Sequence, residues 1–190
     1  MAEVTVDDGS APSLLAQIDA ALAQGLRMLL LRLGRAQPTA VGAHAGLIAD
    51  VIARAQAYSA HVVVGPGLAD FAEDANLGLH LDATDDAVAA AAPRRRWVGT
   101  DADSRAQVER AARRGCDYVL VGPLLPAPDA HGAAPVLGWH GFARLAHQTP
   151  IPVYAAGGLS VDDLPRARAA GAHGVVLPLT QWGGEGKAAR

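Results

Sequence analysis

Short apolar runs alternate with alanine-rich amphipathic stretches along the whole chain. Four- to seven-residue runs predict strands at 3–6, 27–33, 61–64, 77–81, 97–100, 117–121, 152–156 and 173–177. Between them, 3.6-residue periodicity predicts helices at 13–24, 38–58, 68–74, 85–91, 104–114, 139–147 and 161–170. Glycine follows several of these stretches, at Gly25, Gly115 and Gly171, where a left-handed residue ends a helix. Unbroken strand–helix alternation requires a parallel sheet covered by helices, and eight strands suit a closed (β/α)8 TIM barrel. The tail "QWGGEGKAAR" leaves room for only a shortened last helix. Residues 1–190 are read as a single barrel domain.

A barrel carries its chemistry at the C-terminal ends of its strands, with phosphate sites after strands seven and eight. The seventh strand runs into "PVYAAGGLSVDDL". Gly157 and Gly158 can be read as a tight strand-to-helix turn, or as a cradle whose N–H groups hold an anion. Ser160, with Asp163 three residues on, reads as a helix cap. Their place after strand seven favours the cradle. After strand eight Pro178 has no N–H to add.

Composition narrows the field. Half of the residues (51%) are hydrophobic but only 4% are aromatic, so the core is built from Ala, Val and Leu. The net charge of −3 and the single lysine, Lys187, leave no basic field for nucleic acid. Cys116 is alone, which excludes an internal disulfide and a multi-cysteine zinc site. The start "MAEVTVDDGS" lacks the basic and apolar regions of a signal peptide, and no apolar run reaches membrane-span length. A cytoplasmic protein without membrane contact is expected.

Taken together and in order, "DYVLVGPLLPAP", "LGWHGFARLA", "PVYAAGGL" and "AAGAHGVV" resemble the thiamin phosphate synthase/TenI superfamily over about residues 21–176. Within it, "PVYAAGGL" and "GAAPVLGWHGFARL" are most similar to the synthase-like domain that follows a MutT-type Nudix hydrolase in some bacterial proteins. No Nudix box stands in these residues. The resemblance implies the same barrel, a phosphorylated small-molecule ligand, Mg2+ as a cofactor, and a homodimer or a Nudix hydrolase as partner. Family synthases join a pyrimidine diphosphate to a thiazole phosphate, with magnesium and basic groups stabilising the departing diphosphate.

Site by site, the resemblance is partial. The family's Gln-x-Arg-x-Lys on strand two is "LLRLG" here, keeping Arg32 but placing Leu30 and Gly34 at the other two positions. Where the family has a magnesium-binding Asp after strand three, Pro66 stands; the second metal Asp is matched by Asp85. The Ser and His after strand five become Asp101 and Asp103. The hydroxyls and ammonium after strand six become Ala127, Asp129 and Ala130. The TenI histidine is Pro123, leaving His131 as the nearby acid–base candidate. Two lysines lost from a diphosphate site remove roughly 3–6 kcal/mol, or two to four decades of affinity.

Arg32, Asp101, Gly122, Gly157 and Gly158 are therefore the candidate ligand-binding residues and Asp85 the candidate metal ligand, with no catalytic residue assigned. Arg32 is read either as an anion partner or as one half of a salt bridge to Asp85 or Asp101. His80 is read as a satisfied core histidine before a catalytic one. Tyr154 and Trp182 either line the mouth or pack, and the acids Asp82, Asp85 and Asp86 suit a helix entry without metal. The expected function is a diverged member of thiamin-type metabolism that binds a phosphorylated pyrimidine or thiazole, with standard synthase activity weak or lost. The alternatives are a non-catalytic binding or Nudix-partner module, and an active synthase with a rebuilt diphosphate site.

Overall fold

The computed structural model describes residues 1–6, 11–33, 44–68, 77–83, 97–126 and 135–182. Eight parallel strands close in chain order into a barrel: β1 (Ala2–Val6), β2 (Met28–Leu33), β3 (His61–Val64), β4 (Gly78–Leu81), β5 (Val98–Ala102), β6 (Tyr118–Val121), β7 (Val153–Ala156) and β8 (Gly174–Pro178). β8 pairs back onto β1 through Ala2–Leu177 and Glu3–Pro178. The described helices are α1 (Ala11–Ala23), α2 (Ala45–Ala57), α3 (Arg105–Arg113), α4 (Gly138–Ala146) and α5 (Leu164–Ala169). The helices predicted at 68–74 and 85–91 lie outside the described residues, apart from Leu68. The predicted (β/α)8 barrel is the observed fold. After β8 comes one 3-10 turn, Leu179–Gln181.

Strand alternation sorts the core into two layers. One set of positions, including Val4, Leu29, Leu31, Val64, Val119, Ala155 and Leu177, meets the apolar faces of the helices. The other set fills the barrel: Met28, Leu30, Val63, Tyr118, Leu120 and Val176, with Trp97 and Tyr154 against them. So few aromatics suffice because glycine faces them across the strands. A β-carbon on Gly99 would collide with the Tyr118 ring, and one on Gly78 would lie 2.8 Å from the Trp97 carbonyl oxygen. Inside the barrel, large and small residues interlock.

Of the boundaries that differ from expectation, two have a visible physical cause. The fifth strand continues to Ala102, because Asp101 and Ala102 pair with Leu120 and Val121 of β6. Aspartate is a poor strand residue by propensity, yet here its charge is met inside the barrel. The helix expected from Val161 starts as a 3-10 turn, Val161–Asp163, and becomes α-helical at Leu164. Asp163 accepts from the Ser160 N–H at 2.9 Å and from its hydroxyl at 3.0 Å, which tightens that first turn.

Candidate functional site

The inward positions of five strands carry polar side chains, and these form one connected chain across the barrel. Arg32 on β2 donates through one Nη to both oxygens of Asp101 on β5, at 2.9 and 3.2 Å. Its Nε lies 3.0 Å from the Glu3 carboxylate on β1, close enough for an ion pair though not aligned as a hydrogen bond. On the other side of Asp101, the Nε2 of His80 on β4 faces Oδ1 at 3.3 Å, again without hydrogen-bond alignment. His80 is fully buried, and its Nδ1 lies 3.0 Å from the Tyr118 hydroxyl on β6. Tyr154 on β7 meets the Tyr118 ring edge-on, with centroids 6.0 Å apart. The sequence Glu3–Arg32–Asp101–His80–Tyr118 thus runs from the mouth to the buried interior.

The electrostatics follow from that order. Burial opposes ionisation of Asp101, but His80 and Arg32 outweigh it and hold the carboxyl below its usual range. Burial likewise works against the Arg32 cation, while Asp101 and then Glu3 raise its proton affinity above the ordinary value. Burial, reinforced by the Asp101 charge, pushes the Tyr118 hydroxyl well above the usual range of tyrosine. Of the two readings of Arg32, the salt bridge is the one observed, with Asp101 as partner and Glu3 reinforcing it. His80 sits in the core, bonded through Nδ1. Sequence reasoning missed Glu3 and Tyr118. Strand alternation is the signal that marks them, because each occupies an inward position of its strand.

A cleft of about 690 Å3 opens beside this chain, between the ends of β7, β8 and β1. Glu3, Gly157, Gly158, Ser160, Asp163 and Thr180 are among its lining residues. Gly157 and Gly158 both have positive φ, +88° and +68°. Among the described residues their N–H groups donate to no backbone acceptor. The same pair also packs tightly on the segment after β6. A β-carbon on Gly157 would lie 2.8 Å from Pro123 Cα, and one on Gly158 would strike the Leu125 carbonyl oxygen. The pair thus forms a tight strand-to-helix turn that lines the cleft.

Gly122 has a packing reason of its own, since a β-carbon there would strike the Ala156 carbonyl oxygen. Tyr154 packs inside the barrel and Trp182 against the outer core. Asp85, Gly34, Asp129, Ala130 and His131 lie outside the described residues. Pro66 is exposed on the turn after β3 and offers no metal donor. Among the described residues no three His, Cys, Asp or Glu side chains are grouped to hold a metal ion. Glu3 and Asp101 are already turned to Arg32, and Asp85, the candidate metal ligand, lies outside the described residues. No helix among the described residues is long and apolar enough to cross a membrane.

Comparison with known proteins places this architecture. Residues 4–178 match the family described as thiamine monophosphate synthase. A thiamine-phosphate synthase of Levilactobacillus brevis is 37% identical over 105 residues, covering 53% of this chain and 48% of the relative. That of Myxococcus xanthus is 36% identical over 78 residues, 41% of this chain and 36% of the relative. The matched stretches thus span about half or less of these curated relatives. Among solved structures, thiamine phosphate pyrophosphorylase from Pyrococcus furiosus superposes with a TM-score of 0.76 at 22% identity, covering 97% of this chain and 88% of that one. The N-acetylmannosamine-6-phosphate 2-epimerase from Clostridium perfringens reaches 0.64 at 15% identity, covering 95% and 86%. At such identities these structures speak to the fold alone. With the family match running from β1 to the end of β8, the chain belongs to the thiamine monophosphate synthase family.

Proposed function

We propose that this protein binds a phosphorylated pyrimidine or thiazole of thiamin-type metabolism in the cleft between β7, β8 and β1, and that the standard condensation is weak or lost. The observation that carries this reading is the neutralisation of Arg32. Departure of a diphosphate needs positive charge aimed at the developing anion. Arg32, the cation among the described inward positions, is instead held between Asp101 at 2.9 Å and Glu3 at 3.0 Å. A diphosphate would have to displace two carboxylates to reach it. A monophosphate asks for less, and the N–H groups of Gly157 and Gly158, which donate to no backbone acceptor among the described residues, support a site for one.

No step of the reaction is assigned to magnesium, whose candidate ligand, Asp85, lies outside the described residues. The curated relatives carry the synthase name, which favours one second reading: an active thiamin phosphate synthase with a rebuilt diphosphate site. The sequence resemblance to Nudix-associated domains is what supports a Nudix hydrolase as partner, and a homodimer in a cytoplasmic setting is proposed from the family alone.

A thermal-shift series with thiamin phosphate, thiazole phosphate, pyrimidine monophosphate and pyrophosphate tests the binding claim. A ligand at a hundredfold its Kd adds about 2.7 kcal/mol, which for a domain this size raises the Tm by roughly 5–10 °C. The expected result is a shift of that order with a monophosphate and less with pyrophosphate at equal concentration. No shift with any monophosphate overturns the reading.

A further inference from the structure

The buried end of the polar chain has a role that ligand binding alone does not require. We propose that His80 is a proton-uptake site linked to anion binding: an anion that draws Arg32 away from Asp101 leaves His80 to take up a proton and replace Arg32 as the counter-cation. The inference rests on the anion-binding reading of the cleft.

The geometry supplies each link. Arg32 is partly exposed and bridges the cleft residue Glu3 to Asp101, so an anion entering the cleft reaches the ion pair at its Glu3 end. Asp101 has a second group within reach that can become its counter-cation, the His80 Nε2 at 3.3 Å. That atom is buried and aligned with no partner in the state described. While Arg32 is in place, the carboxylate has its countercharge. Once Arg32 leaves, a half-buried carboxylate without a countercharge is costly. A proton from solvent makes both imidazole nitrogens donors, one toward Asp101 and the other toward the Tyr118 oxygen at 3.0 Å. The charge in the barrel is thereby restored.

The charged and titratable groups around His80 belong to the same cluster. Asp101 of β5 is held below the usual carboxylate range, Tyr118 of β6 is pushed above its own, and Arg32 of β2 is raised. Glu3 of β1 reaches the cluster only through Arg32, and Tyr154 of β7 only through the Tyr118 ring, its own hydroxyl raised by burial. Linked proton uptake tightens binding as pH falls. The limiting slope is one tenfold gain in affinity per pH unit.

Inorganic sulfate is the probe, because it does not titrate in this range. Histidine-labelled protein at about pH 7.5, a unit above the ordinary histidine value, is titrated with sulfate while the imidazole nitrogen and the Gly157 and Gly158 amide signals are followed. The expected result is movement of the glycine amides together with conversion of the His80 ring, assigned with His80→Gln, to imidazolium. Asp101→Asn should keep the amide response and lose the ring response. Affinity measured across pH should slope in the wild type and be flat in His80→Gln. Glycine shifts with an unchanged His80 ring overturn the linkage and leave the anion site standing. Absence of any glycine shift removes the anion site, and the linkage with it.

Discussion

Gly99 and Tyr118 illustrate how single residues set the interior of this barrel. The Tyr118 ring occupies the space a β-carbon on Gly99 would need. Gly99→Ala is therefore an overpacking substitution and should cost about 1–3 kcal/mol, read as a lower midpoint in urea unfolding. Tyr118→Leu should be destabilising alone, since it removes the hydroxyl beside His80. The double variant should lose less than the sum of the two singles, because they share one space. Asp101 offers a second test. Its folded pKa is depressed, so the stability it contributes is present above the unfolded value of about 3.9 and lost as pH falls through the folded value. Asp101→Asn should then be less stable than wild type at pH 7, by about 1 kcal/mol given the half-exposed carboxylate. The difference should vanish in acid, and a gap that persists below the folded pKa would contradict the assignment.

Glycine means different things in different elements, and a paired substitution separates them. Gly46 is exposed in the first turn of α2, with nothing within 4 Å of where a β-carbon would stand. Gly46→Ala should stabilise by about 0.5–1 kcal/mol through reduced backbone freedom in the unfolded chain. Gly158 sits at positive φ against the Leu125 carbonyl, so Gly158→Ala should cost at least ~2 kcal/mol. Thermal melts of the two variants should move in opposite directions. These elements also show how much the sequence makes legible. Strand and helix positions can be read because alternation and 3.6-residue periodicity are local properties. The extension of β5 to Ala102 cannot, since an aspartate enters a strand only when a distant cation meets it. The 3-10 start at Val161 depends on how the Asp163 carboxylate folds back onto Ser160, a geometry that sequence spacing suggests but does not dimension.

At the scale of the whole molecule, barrel closure is readable from eight apolar runs, and the ordered motifs point to the family that the comparison supports. The partnership at the mouth is harder to read. Arg32 and Asp101 are 69 positions apart in sequence and meet across the closed barrel, and Glu3 joins them from β1, the strand paired with β2. That closure turns the surviving arginine from a free anion partner into the centre of an ion-pair chain, and the proposed weakness of the condensation rests on this change. Turnover tests it directly. Both substrates, pyrimidine diphosphate and thiazole phosphate, are supplied with magnesium, and thiamin phosphate is followed over hours beside a family enzyme that has the full Gln-x-Arg-x-Lys and Asp set. Formation slower than that control by two or more decades is expected, in keeping with roughly 3–6 kcal/mol of lost charge-assisted contacts. Turnover within about tenfold of the control, a difference of no more than ~1.4 kcal/mol, would contradict it.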